Sequence, residues 1–377
     1  MADMIGVAFV GCTHPHIFPR YEILNVQPGV RCVGCYDPDE SLAAALEQRF
    51  GLMAFASVEE LLDQPGVNFV IVEGWDTANP GYVRQALQRN QAVLLEKPGA
   101  PNLDEMRSLM DDVHKAAVPF QVGYMMRFSR TIQQARRILA EGVLGPITLG
   151  RFHAAAPVGR ARELWQNIPG NTGGVVYTDG CHMIDLIIHL LGMPKRVKGM
   201  TLTLSEGEMV LAHGFKKSTL SGPGETLEMP IGGLMYEDAG AAILDYGDKL
   251  VTFDITGWES HPWVEAWRIE IYGTDGTLEM GIQPPWQRLY IRNAKPGYQP
   301  GYHLWEGFRT TGTTNSLVVD ENYVGEILHM VRRVREWDTD NSRWIAEAKG
   351  VIEILDAIFR SQQQQDAILL EPRHANV

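Results

Sequence analysis

The sequence predicts an α/β protein, a doubly wound parallel sheet followed by an α+β unit built on a large, mainly antiparallel sheet. Three observations carry this. In the first 125 or so residues, short apolar strands alternate with helix-period segments, the pattern of parallel strands joined by crossover helices. Beyond Gly192, strand follows strand across Gly-rich turns. At 377 residues, 45 % hydrophobic and 21 % charged, the chain has the length of two domains and the composition of a globular core.

Taken in order, residues 6–11 form a compact apolar strand, 19–26 a helical segment and 30–36 a second strand. The helix over 40–50 carries Leu and Ala at helical spacing and stops at Gly51, where a C-cap favours glycine. Residues 53–56 read as a short strand, and Ser57 with Glu60 makes the capping box of a helix running through Leu62. Then come a buried strand at 67–72, a helix at 79–90, a strand ending at Lys97, a helix at 103–117 and a strand at 119–124. A boundary near Tyr124 separates a dinucleotide-binding domain, 1–123, from a second domain, 124–377, that includes the C-terminal helices. In the second domain a helix over 131–141 leads to a strand at 147–153, then to an irregular stretch and a Gly-rich entry into a helix at 181–191. Strands at 196–204, 239–246, 250–257, 267–273, 277–280 and 288–292 precede closing helices at 322–336 and 342–364.

A net charge of −13 without any basic tract argues against nucleic acid and anionic membrane as partners. No apolar run has the length of a membrane span, and the acidic start Met1-Ala2-Asp3-Met4 is unlike a signal peptide, so a cytoplasmic location is expected. Cys32 and Cys35 have the spacing of a redox or zinc pair. They lie on a strand, where residues three apart face opposite ways, so all four cysteines read as structural.

In doubly wound sheets ligands sit at the carboxyl ends of the strands. The polar oddities of the first domain fall there: Thr13, His14 and His16, then Asp37, then Trp75 and Asp76, and Lys97. Of the Gly-x-Gly-x-x-Gly fingerprint only Gly11 is in place. Thr13 and the backbone amides of Cys12 and its neighbours could still hold phosphate at a helix start, with charge from His14 or His16; the loop could also be a plain turn. Asp37 ends the second strand 26 residues after Gly11, where a ribose-binding carboxylate sits, although it could equally cap a helix. No arginine follows it, which favours NAD over NADP. Gly74, Asn79 and Glu96 complete the cofactor-binding candidates.

Glu96-Lys97-Pro98, the Asp37 position, Gln121-Val122-Gly123-Tyr124, Gly173-Gly174, Gly180-x-His182-x-x-Asp185 and the run from Ile271 to Leu278 occur in that order. Together they resemble the glucose–fructose oxidoreductase, inositol dehydrogenase and rhizopine-catabolism superfamily over nearly the whole chain. The resemblance implies a Rossmann-like first domain, a nicotinamide-dependent enzyme acting on a sugar, polyol or related hydroxy compound, and a second-domain sheet that packs against another subunit of a homo-oligomer. It places Lys97 between cofactor and substrate, where an ammonium stabilises an alkoxide-like oxygen as hydride leaves its carbon. Lys97–Pro98 is a candidate cis peptide, and Glu96, on the opposite face, has a supporting role.

His182 matches the family's histidine and suits a general base, with the Gly residues around it letting substrate approach. Asp185, one turn on, could orient it or could pair within the fold. The family's aspartate four residues before that histidine is Thr178 here. Asp179 is one place on, rotated by about 100° if the segment is helical. Met125 and Met126 replace polar residues, which points to a less polyhydroxylated substrate. Tyr124, Arg127, Arg160, Arg162, Trp165, Trp258 and Trp263 are pocket candidates, although surface ion pairing is the alternative for the arginines. A metal on His182, Asp185 and His189 is disfavoured, because its outer ligands lie about 10 Å apart along the helix. Two further readings stay open, a non-catalytic nucleotide-binding sensor and an enzyme that uses transient oxidation to drive elimination or glycoside cleavage.

Overall fold

The computed structural model describes residues 4–14, 16–155, 173–214, 225–259, 266–282, 285–306 and 321–370. The first sheet contains β1 (Ile5–Cys12), β2 (Val30–Tyr36), β3 (Val67–Glu73), β4 (Ala92–Leu95) and β5 (Phe120–Val122), all parallel in the order β2-β1-β3-β4-β5. Residues of β1 and β4 are buried throughout, as strands covered by helices on both faces must be. The crossovers are α1 (Ile17–Asn25), α2 (Glu40–Phe50), α3 (Val58–Leu62), α4 (Asn79–Gln88) and α5 (Leu103–Ala116).

Local chemistry sets the ends. Ser57 accepts from Glu60 N–H at 3.1 Å to open α3, and Gly51 closes α2 at φ 68°. The strand expected at 53–56 is instead a single parallel bridge, Cys35 to Ala54. With that bridge counted as an edge strand, the sheet has the doubly wound order, and its switch point lies between β1 and β3.

A 3-10 turn (Met125–Phe128) and α6 (Arg130–Ala140) lead into β6 (Ile147–Ala155). Then follow α7 (Val175–Thr178), α8 (Gly180–Leu191), β7 (Arg196–Leu202), β8 (Met209–Gly214), β9 (Glu225–Pro230), β10 (Ala239–Asp245), β11 (Leu250–Thr256), β12 (Ala266–Gly273), β13 (Gly276–Ile282), β14 (Pro285–Ile291), β15 (Gly301–Glu306), α9 (Glu321–Glu336), α10 (Ser342–Gln364) and β16 (Ile368–Leu369). Nine strands pair as β15-β14-β13-β12-β6-β11-β10-β7-β16, antiparallel except for β6 with β11. β8 and β9 form a separate hairpin. The α/β class and both sheets match the expectation; the parallel pair, the hairpin, β15 and β16 are additions to it.

α10, α8 and α6 cover one face of the large sheet, where Val197, Leu244, Val251, Phe253, Ile269 and Leu289 are buried. α9 and α10 also turn back on the first sheet. Arg333 donates to the carbonyl of Phe120 at 2.6 Å, and the Asn341 amide serves both Val118 O and Phe120 N–H. No described helix is long and apolar enough to cross a membrane.

Candidate active site

Lys97 lies just past the end of β4, where strand alternation sends Glu96 and Lys97 in opposite directions. The Lys97–Pro98 peptide is cis. Tyr124 donates its hydroxyl to Pro98 O at 3.3 Å and Tyr177 donates to Ala100 O at 2.9 Å, so two tyrosines pin the loop that carries the amine. Only 3 % of Lys97 is exposed. Its Nζ donates to the carbonyl of Thr178 at 2.6 Å and stands 3.6 Å from Asp179 Oδ1. Burial pulls the ammonium's pKa down, but Asp179 and the other nearby acids more than offset this and hold it above its ordinary value. The lysine is therefore a fixed cation.

Facing it, the helical segment breaks. α7 ends at Thr178, Asp179 sits at φ −113° and ψ −38°, and α8 begins at Gly180. That break removes the rotational mismatch a continuous helix would impose. The Asp179 carboxylate reaches the lysine, while Thr178 turns its hydroxyl onto Gly174 O at 2.9 Å and offers only its carbonyl.

α8 is buried on all sides from Gly180 to Ile188. His182, within it, is boxed by the rings of His16, Tyr124 and Trp267, with centroids 6.3, 6.1 and 5.8 Å away. Its Nδ1 is buried without a hydrogen-bond partner among the described residues. Burial, then the Lys97 charge, pushes the imidazole well below its ordinary pKa, so it is neutral at pH 7.

Several readings that the sequence left open close here. Asp185 does not orient His182; it accepts two bonds from Arg127, one of them from Nε at 3.0 Å. Arg127 also donates to Glu347 at 2.6 Å, so it is a buried structural ion pair and not a free substrate clamp. The His182, Asp185 and His189 metal reading fails on the same grounds, since Asp185 holds Arg127 and His189 Nδ1 meets Arg343 at 2.9 Å. The glycines around His182 serve packing. A Cβ on Gly174 would fall 1.8 Å from Glu237 O, and one on Gly180 would fall 3.0 Å from Phe253. Met125 and Met126 are buried core residues.

His14 and His16 do not supply charge to a phosphate. Both are buried and pushed below the ordinary histidine pKa, chiefly by desolvation. They join a buried cluster in which Glu96 meets His14 Nε2 at 3.4 Å and His16 Nδ1 at 3.1 Å, and accepts from Arg20 at 2.5 Å. Arg20 also donates to Glu73 at 2.6 Å and Glu326 at 2.8 Å. Burial lifts Glu73 to about 8, against the pull of Arg20.

His14, His16 and Glu96 have the spacing of a metal triad. The tautomer argues otherwise. His14 Nδ1 accepts from the His16 amide at 3.3 Å, which places the ring proton on Nε2, where it faces Glu96 and leaves no lone pair for an ion.

At the cofactor end, Gly11 has φ 72°, and a Cβ there would lie 2.4 Å from Gly74 Cα, so the loops after β1 and β3 touch backbone to backbone. Asp37 accepts from Cys12 N–H at 2.5 Å and Asp39 N–H at 2.8 Å, which leaves lone pairs for ribose hydroxyls. Asn79 donates to Gly74 O at 3.0 Å and keeps its own buried amide oxygen without a hydrogen-bond partner among the described residues. Thr13, Trp75 and Asp76 border the same strand ends, with Asp76 buried. This acceptor-rich lining fits a nicotinamide dinucleotide. Trp258 is half-buried against the core, and Arg160, Arg162, Trp165 and Trp263 lie outside the described residues.

Arg20, Glu73, Glu237 and Tyr177 escaped the sequence reading. Glu237 accepts from Gly174 N–H at 2.9 Å and Tyr177 N–H at 3.2 Å, holding the turn that presents Thr178. The one sequence signal was Gly173-Gly174 itself.

Two family models match the chain: "Oxidoreductase family, NAD-binding Rossmann fold" over residues 5–124 and "Oxidoreductase family, C-terminal alpha/beta domain" over 136–370. A 2,7-anhydro-N-acetylneuraminate hydratase from Escherichia coli is 26 % identical over 298 residues, 74 % of this chain and 67 % of that protein. A scyllo-inositol 2-dehydrogenase (NAD(+)) from Bacillus subtilis is 22 % identical over 314 residues, 80 % of this chain and 83 % of that protein. Levoglucosan dehydrogenase in complex with NADH and levoglucosan shares the fold, with a TM-score of 0.78 at 15 % identity over 97 % of this chain and 99 % of that one.

Proposed function

The chain belongs to the glucose–fructose oxidoreductase, inositol dehydrogenase and rhizopine-catabolism oxidoreductase family, and on that premise we propose that it moves a hydride between nicotinamide and a carbinol carbon of a sugar, polyol or related hydroxy compound. The observation that carries the reading is a buried, permanently charged Lys97 at a strand end of the nucleotide-binding sheet, together with a neutral, buried His182 whose Nδ1 lacks a partner.

A nicotinamide held at the ends of the first-sheet strands would supply the hydride acceptor. Lys97 stabilises the negative charge that develops on the substrate oxygen, in a site where burial strengthens such interactions. His182, already neutral, takes the hydroxyl proton. Asp179 and the Thr178 carbonyl aim the ammonium, and Glu96 fixes His16 beside the base. Asp37 holds the adenosine ribose, and its carboxylate, with no arginine following it in the sequence, favours NAD over NADP.

A second reading has support in one observation, the hydratase among the relatives: transient oxidation could serve an elimination or hydration with no net redox change. One experiment tests both. With NAD and a panel of sugars, polyols and their acids, nicotinamide reduction should appear for the wild type and fall at least a hundredfold in Lys97→Ala, the scale of losing one electrostatic catalyst. Bond cleavage or hydration without net reduction would transfer the proposal to the second reading. Bound NAD with no turnover across the panel would overturn both.

The uncovered face of the nine-stranded sheet is the proposed subunit contact. Met200 and Tyr302 are each 70 % exposed there, with Leu202, Ile243 and Leu304 near them on the open strands.

A further inference from the structure

A cavity of about 620 Å³ lies apart from Lys97, Asp179 and His182, none of which lines it. Four arginines reach it from four separate segments: Arg127 from the 3-10 turn, Arg136 from α6, Arg332 from α9 and Arg343 from α10. In a chain of net charge −13 such a gathering of one sign is unusual.

The compensation is incomplete. Arg127 is held by Asp185 and Glu347, and Arg343 shares that same Glu347 at 2.7 Å. Arg136 and Arg332, both exposed, have no carboxylate partner among the described residues. The single acid on the wall, Asp340, is spent on the start of α10, where its carboxylate accepts from the amide and hydroxyl of Ser342 at 3.1 and 2.6 Å. Burial and then the charge of Arg343 depress the pKa of Arg136, an effect that Glu347 only partly offsets.

His189 supplies a neutral donor to the same wall. Its Nδ1 accepts from Arg343 at 2.9 Å, so the ring proton sits on Nε2, and that atom is buried without a hydrogen-bond partner among the described residues. A buried donor left unmade is costly, and a ligand oxygen would satisfy it. The volume is that of an organic-ligand pocket and far exceeds a single inorganic ion.

We propose that this cavity is a binding site for a small organic polyanion, a phosphate ester or a polycarboxylate, held by Arg136, Arg332 and the Nε2–H of His189. Planar, forked guanidinium groups suit the oxygens of either class. The site has a route to the active site: Arg127, on its wall, holds Asp185, three residues beyond His182 on α8.

Titration calorimetry with pyrophosphate and with citrate, at ionic strength matched with sodium chloride, tests the proposal. Wild-type protein is expected to bind at least one of them once per chain, and the double variant R136E/R332E at least tenfold more weakly. Pyrophosphate alone assigns a phosphorylated ligand, and citrate alone a polycarboxylate. Absence of binding by both at millimolar concentration overturns the site. So does equal affinity in wild type and the double variant, or in wild type and His189→Phe, which keeps a ring but removes the donor. Unchanged melting temperatures without anion confirm that the variants are folded.

Discussion

His182 sets the most direct test at the scale of single residues. Its pKa is depressed by burial and by Lys97, so its neutral form persists below the ordinary histidine value of about 6.5. A base whose pKa is lowered keeps its activity as pH falls. We therefore expect kcat/KM to show no His182-dependent acid limb between pH 8 and about 6.5. A limb centred near that value in the wild type and missing in His182→Gln would refute the neutral, desolvated imidazole. Lys97, Asp37 and His182 were legible in the sequence because each is a polar residue at a position that strand ends or a family motif single out. Glu96 was legible as the lysine's opposite-face neighbour, but its cluster was not. Arg20 and Glu326 meet although they are 306 positions apart, and no local pattern signals a pairing of that span. His14 and His16 misled because position alone suggests a phosphate loop, whereas burial decides their charge.

At the scale of elements, the break between α7 and α8 matters most. It depends on a tight fit in which Glu237 caps the turn and Gly174 leaves no room for a side chain. Gly174→Ala should destabilise the fold by about 2 kcal/mol, the cost typical of forcing one carbon into a packed site, with a lower melting temperature by calorimetry. Turnover should fall further than stability explains, because the displaced turn carries the Thr178 carbonyl and Asp179 away from Lys97. An unaltered melting temperature would mean that the turn tolerates the substitution. Helices were read to within a few residues, since their caps and 3.6-residue period are local. Strands that exist by pairing were harder. β16 is two residues long and is defined by its bonds to β7, and residues 53–56 make one bridge in place of a strand. The parallel pairing of β6 with β11 joins segments about 100 residues apart, which no alternation of apolar residues can reveal.

For the molecule as a whole, the nine-stranded sheet is covered on one face and, among the described residues, open on the other. Exposed Met200 and Ile243 alternate with buried residues along β7 and β10, and Tyr302 and Leu304 are exposed on β15. Size-exclusion chromatography with light scattering should report a dimer or tetramer of the 42.1 kDa chain. Ile243→Glu combined with Met200→Glu should shift it to monomer while leaving the circular dichroism unchanged. A monomeric wild type would remove the sheet as a subunit contact.

The return of α9 and α10 to the first sheet also has a consequence for how the protein is made. A ribosome releases the nucleotide-binding half first, yet Arg20 then lacks Glu326, and the edge strand β5 lacks Arg333 and Asn341. Those partners emerge only after residue 321, behind β6 to β15. The first half must wait, incompletely closed, while β6 to β15 are translated. Closure of the first half is thus tied to the translation of α9 and the start of α10, and a chain cut before residue 321 lacks the residues that lock it.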